Sequence, residues 1–180
     1  PLGSGMDGLA YALTTLPNGD LVAGGVFTYA GGVAANYIAR WDGVSWSALG
    51  SGMNGRVNAL LTLADGSLVA AGEFTIAGGV AANRIARWNG STWSPLGSGV
   101  DSRVFDLASL HNGDLVAGGV FTSAGGTLSP YVAQLTTTCP ATAPTFGSGC
   151  NSSVGPMVLN ANTLPWVGTT FRSTCTAMAP

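Results

Sequence analysis

An all-β chain is predicted by the sequence: a partial β-propeller of about three four-stranded antiparallel blades, with a short C-terminal β tail. Three observations carry this reading. Phe27, Phe74 and Phe121 each open a Phe-Thr-x-Ala-Gly-Gly phrase, and Leu2, Leu49 and Leu96 each open Leu-Gly-Ser-Gly, all at a step of 47 residues. A period of that length marks stacked supersecondary units, each too small to bury its own apolar face. Within each unit, apolar residues alternate with a period of two and Gly-containing turns separate the runs.

The second unit shows the elements in order. Val57, Ala59, Leu61 and Leu63 fall on one face of a first strand, with Asn58, Leu60 and Thr62 on the other. Asp65-Gly66 then supplies the positive φ angles of a tight hairpin, as Asn18-Gly19 and Asn112-Gly113 do in the other units. The second strand runs from Ser67 to Phe74, and a Gly-rich connection at Ala77, Gly78 and Gly79 leads to a third strand at Arg84 to Trp88. Asn89-Gly90 turns the chain into a fourth strand at Thr92 to Leu96. Small residues at Ala23-Gly24-Gly25, Ala70-Ala71-Gly72 and Ala117-Gly118-Gly119 imply a close approach, assigned here to neighbouring blades. Trp41, Trp46, Trp88 and Trp93 are the expected plugs between blades.

The double glycine after the second strand, an aromatic on the third and Trp46 or Trp93 on the fourth resemble the kelch repeat, with Trp41 where kelch motifs usually carry Tyr. The fuller phrase from Gly24 to Gly32, followed by Ile38 to Gly43 and Trp46, is similar to bacterial secreted kelch-like propellers and to the extracellular propeller of fungal cell-polarity marker proteins. The resemblance covers residues 1 to about 135 and implies the fold; kelch propellers include protein-interaction modules, carbohydrate-related proteins and an oxidase scaffold. The third unit departs from the pattern, with Leu135 in place of the third-strand Trp and no fourth-strand Trp after it.

Domain organisation follows: three kelch-like repeats over 1–138 and a Cys-containing segment over 139–180, whose alternation at Leu159 to Asn162 suggests the start of a small β module. Closed propellers have about four to eight blades, so three do not close alone. Two arrangements satisfy the geometry: a homodimer completing a six-bladed ring, or a fragment of a longer chain. A start within a repeat favours the fragment, and the recurrence of Pro1 to Gly5 as Pro95 to Gly99 marks those residues as native sequence.

Charge and cysteine usage narrow the function classes. Charged residues are only 8% of the chain, with no Lys and a net charge of -2, so the basic footprint that neutralises phosphates is missing and nucleic acid is excluded as an expected partner. No apolar stretch reaches the ~20 residues of a membrane span, and the chain is read as soluble. Cys139, Cys150 and Cys175 all follow the repeats. A disulfide between Cys139 and Cys150 would suit an extracellular or cell-surface setting, while free thiols are the other reading. Their spacing fits no zinc pattern, and neither a metal site nor a cofactor is expected.

Candidate chemistry is sparse. His111 occupies the turn position of Pro17 and Ala64, and the Gly-Ser-Gly of Ser4, Ser51 and Ser98 lacks the strand-to-helix context of a nucleophile elbow. Asp106 replaces Ala12 and Ala59, and Glu73 replaces Val26 and Val120. Facing a common channel, these two would be the candidate acid and base of a hydrolase acting on a sugar or ester. Asp20, Asp65 and Asp114 have turn roles rather than a calcium loop. Variable positions in otherwise repeated loops, namely Tyr29, Ile76 and Ser123, then Tyr37, Arg84 and Tyr131, are where a ligand surface can be tuned, with Tyr29, Tyr37, Arg84 and Tyr131 the chosen binding candidates. Asn89 and Asn151 begin glycosylation sequons. The expected function is a secreted or surface binding module for a glycan or protein ligand, without chemistry; a hydrolase and a purely structural repeat segment are the alternatives.

Overall fold

A computed structural model describes residues 2–135, which fold entirely into strands and turns. Blade one comprises β1 (Ala10–Thr15), β2 (Leu21–Gly25), a small hairpin of β3 (Tyr29–Ala30) and β4 (Val33–Ala34), then β5 (Ile38–Trp41) and β6 (Trp46–Ala48). Blade two repeats the plan as β7 (Val57–Thr62), β8 (Leu68–Gly72), β9 (Ile76–Ala77), β10 (Val80–Ala81), β11 (Ile85–Trp88) and β12 (Trp93–Pro95). In blade three the described strands are β13 (Val104–Ser109), β14 (Leu115–Gly119), β15 (Ser123–Ala124), β16 (Thr127–Leu128) and β17 (Val132–Leu135). The main sheets are antiparallel, ordered β1-β2-β5-β6, β7-β8-β11-β12 and β13-β14-β17. The chain is thus a partial propeller. The segment 139–180, with Cys139, Cys150 and Cys175, Asn151 and the alternation at Leu159, lies outside the described residues.

Four details depart from the sequence reading, each for a local reason. First, the Gly-rich connection is itself a two-stranded hairpin, pairing Ile76 with Ala81 and Ala77 with Val80. Second, the Asn18-Gly19 type of loop is wider than a two-residue turn. The Gly19 N–H donates to Leu16 O at 2.9 Å, the Leu16 N–H donates to Asp20 O at 2.8 Å, and only the glycine has positive φ, at 87°. The Asn18 Oδ1 accepts from the Asp20 N–H at 3.2 Å, which supports the turn in the way Asx side chains do.

Third, a register shift between Val57 and Ala59 inserts a bulge into β7. The bulge moves Val57 to the side facing blade one, against Gly24, while the Asn58 amide turns to blade three and donates to Val104 O at 2.7 Å. Fourth, the bulge explains one of the paired glycines. A Cβ on Gly72 would lie 2.0 Å from the Arg56 carbonyl oxygen of its own first strand, whereas a Cβ on Gly24 would lie 2.5 Å from Val57 of the next blade. Blade-to-blade crowding therefore accounts for Gly24, and the strand's own bulge accounts for Gly25, Gly72 and Gly119.

First strands meet along the inner edge, where Thr62 Oγ1 donates to Thr15 O at 2.8 Å and lies 3.1 Å from Thr14 Oγ1. The core is then divided between blades. Val22 and Ile38 of blade one pack with Val57, Leu68 and Phe74 of blade two. Leu63, Val69 and Ile85 of blade two pack with Val104, Leu115 and Phe121 of blade three. The tryptophans pair within their own unit, and Trp93, with Trp88 alongside, also belongs to the cluster that Val22 and Ile38 of blade one enter. Trp41 and Trp46 face each other across β5 and β6 with ring centres 5.5 Å apart, as do Trp88 and Trp93 at 5.3 Å. Buried Trp46 donates from Nε1 to Leu2 O, and Trp93 to Leu49 O, each at 3.0 Å, so the outer strand holds the segment that enters the blade.

Candidate functional site

The hairpins β3-β4, β9-β10 and β15-β16 and the segments that enter each blade share one rim. Isolated bridges join them at Met6 and Ala30, Met53 and Ala77, and Val100 and Ala124. The opposite rim carries the β-turns at Gly19, Gly66 and Gly113. There Asp20 pairs with Arg40 at 3.3 Å in blade one, and Gln134 donates to Asp114 at 2.7 Å in blade three. In blade two the equivalent position is Ser67, and Arg87 bonds both Ser67 and Asp65, so the acid has moved two residues along the turn while the contact is kept.

On the hairpin rim, a side chain in the entering segment fixes each hairpin. Asp7 Oδ1 accepts from the N–H groups of Thr28 and Tyr29 at 2.8 Å, and its Oδ2 accepts from Thr28 Oγ1 at 2.6 Å. Asp101 does the same for Thr122 and Ser123, while Asn54 Oδ1 accepts from the N–H groups of Thr75 and Ile76 and its Nδ2 donates to Thr75 Oγ1. The Thr122 hydroxyl, then the backbone of Ser123, hold the Asp101 carboxyl below its ordinary value of 3.8, and Thr28 and Tyr29 do so for Asp7. A carboxyl lowered on folding adds stability that is present above its unfolded value and is lost as the pH falls below it. Asn54 supports its hairpin without a charge, so the Asp7→Asn/Asp101→Asn double variant is expected to lose less stability than the parent as the pH falls below 3.8, as followed by tryptophan fluorescence in an acid titration. Greater acid sensitivity in the variant would contradict this account.

Because these bonds hold the hairpin backbone, the residue that opens its first strand is free to vary. Tyr29 is 52% exposed and Ile76 42% exposed. At the inner edge of the same rim, Leu9, Arg56 and Arg103 precede the three first strands, and their carbonyls accept from the N–H groups of Val26, Glu73 and Val120. Glu73 lies 3.7 Å from the Arg56 guanidinium and 3.9 Å from that of Arg103 in the next blade, and Arg56 sits 5.4 Å over the Tyr11 ring. Two cations, one carboxylate and a tyrosine face therefore gather at the inner mouth.

Asp106 is placed elsewhere. It pairs with Gly118 at the register of Ala59, on the outer face of blade three, and accepts from the Leu107 N–H at 2.8 Å. Among the described residues no hydrogen bond or ion pair joins it to Glu73. Tyr37, Arg84 and Tyr131 share a left-handed backbone, with φ of 65°, 64° and 70°, and each N–H donates to the carbonyl of the repeated Phe. Recurrence in all three units marks this conformation as the bend that returns the hairpin to the sheet. The Tyr37 side chain packs against blade two and Arg84 donates to Val100 O of blade three at 3.4 Å, while Tyr131, in the last described blade, is exposed. His111 is exposed in its turn, and among the described residues no three His, Cys, Asp or Glu side chains form a metal-binding group. No helix among them is long and apolar enough to cross a membrane.

The Arg56–Glu73–Arg103 grouping was not foreseen from the sequence, although Arg56 and Arg103 stand one repeat apart and that spacing is a usable signal. The chain is similar to a family described as a domain of unknown function (DUF5122) beta-propeller, whose model matches residues 16–41 and 63–91, from the first turn to the third strand of blades one and two. No curated protein and no solved structure matches the chain.

Proposed function

We propose that this propeller-type repeat chain is a secreted or cell-surface binding module, of kelch-like descent, that presents its hairpin rim to a glycan or protein ligand. One observation carries the reading. The hairpin backbone is held by Asp7, Asn54 and Asp101, which leaves Tyr29 and Ile76 exposed beside a mouth of Arg56, Glu73, Arg103 and Tyr11. Tyr and Arg are the side chains that anchor binding surfaces most often, because they offer broad contact and directional hydrogen bonds together. Glu73 between two guanidiniums suits the recognition of a polar ligand better than proton transfer. Tyr37 and Arg84 support the rim from between the blades, and Tyr131 is available in the same register on blade three. The double glycine and the tryptophan pair support kelch-like descent. The extracellular setting rests on the expected pairing of Cys139 with Cys150.

A glycan array and a panel of secreted proteins test the reading. Tyr29→Ala and Arg103→Ala are each expected to weaken the best binder at least ~10-fold with the melting temperature unchanged, since both side chains are exposed. No binder in either panel, or binding indifferent to both substitutions, would leave a structural repeat segment. Hydrolysis of a sugar or ester that disappears in Asp106→Ala would establish the enzymatic alternative instead.

A further inference from the structure

Blade one presents an open apolar groove of about 460 Å³ on the side away from blade two, lined chiefly by Leu2, Met6, Ala10, Leu13, Leu21 and Trp46. One repeat later the same positions are Leu49, Met53, Val57, Leu60, Leu68 and Trp93, and there the groove is filled. Val22 and Ile38 of blade one are fully buried in it, with Leu16 and Tyr37 packed alongside. The fit is close, because a Cβ on Gly24 would fall 2.5 Å from Val57 and 3.3 Å from Leu60.

At the far end of the described residues, the side chains that would fill such a groove are present. Leu110, Val116, Tyr131 and Val132 on blade three hold the positions of Leu16, Val22, Tyr37 and Ile38. Tyr131 is 60% exposed and Val132 50% exposed, and among the described residues a Cβ on Gly118, the counterpart of Gly24, would meet only Tyr131 O at 4.0 Å. Both halves of the contact that already joins blades one and two are therefore displayed at opposite ends of the described residues.

We propose that a second copy of this chain occupies the groove, the outer face of blade three in each copy docking on blade one of the other. The contact is head-to-tail, and with the three described blades of each chain two copies close it into a ring of six blades, within the four to eight that propellers adopt, whereas three copies give nine. The argument is independent of the binding function, since it uses the blade faces and not the hairpin rim. Leu13 and Val132 are its opposed anchors, by analogy with Leu60 and Ile38.

Sedimentation equilibrium on the full chain tests it. The expected mass is twice 17.9 kDa. Leu13→Arg and Val132→Arg, both at exposed sites of the single chain, are each expected to raise the dimer dissociation constant at least ~10-fold without altering the far-ultraviolet spectrum. Mixing the two variants leaves one of the two contacts wild-type on both sides, so a mixed dimer is expected to form more tightly than either variant with itself. A monomeric parent chain, as would follow if residues 136–180 cover the groove, overturns the proposal. So do an open series of larger assemblies, a dimer insensitive to both substitutions, and mixing without recovery.

Discussion

Gly72→Ala will cost about 3 kcal/mol or more of unfolding free energy, read as a loss of urea midpoint, although the change adds one methyl group to a strand. The reason is what the methyl meets. Its carbon would fall 2.0 Å from the Arg56 carbonyl oxygen, 3.0 Å from the Arg56 carbonyl carbon and 3.1 Å from the Asn58 nitrogen. All three atoms belong to backbone that the β7 bulge fixes, so no side-chain rotation relieves the clash. The matched control is Gly118→Ala, whose methyl meets nothing closer than 4.0 Å among the described residues and whose counterpart in blade two is already Ala71. That control is expected to stay within about 0.5 kcal/mol of the parent. Equal effects of the two substitutions would show that glycine is kept there for chain flexibility rather than for clearance.

Phe74→Ala is the second large effect, with an expected loss of about 3–5 kcal/mol. Phe74 is 1% exposed in the middle blade, within the core cluster that also takes in Val22 and Ile38 of blade one. Its carbonyl accepts from the Arg84 N–H, the bond that starts the left-handed bend, so a collapse around the cavity would also disturb the entry to β11. Calorimetry should show a fall in melting temperature on the order of 10 °C. Phe74→Leu, which keeps most of the volume, should lose clearly less. A fall of only a degree or two for the alanine variant would mean that the middle blade is not the structural centre of the array.

Most of the sheet architecture was legible because period-two alternation over four to six residues is a strong signal, and three copies of it reinforce one another. The strands at 10–15, 57–62 and 104–109 and their partners follow directly. The two-residue strands β3, β9 and β15 were not legible, since a run of two has no period. The bulge hid itself in the same way: alternation alone placed Val57 with Ala59, while one extra residue puts them on opposite faces. The candidate site was less legible still. Tyr29 could be found as the variable member of a repeated loop, yet the approach of Arg103 to Glu73 exists only because blade three packs on blade two. The positive φ shared by Tyr37, Arg84 and Tyr131 had no signal either, because two tyrosines and an arginine are not residues that announce a left-handed backbone.

The indole bonds of the outer strands have a consequence for how such an array can change in length. Leu2 and Trp46 stand within one repeat, and so do Leu49 and Trp93. A cassette cut just before each Leu therefore carries both halves of its own latch. Inserting or excising one such cassette leaves every remaining latch complete, and only the faces between neighbours have to be matched anew.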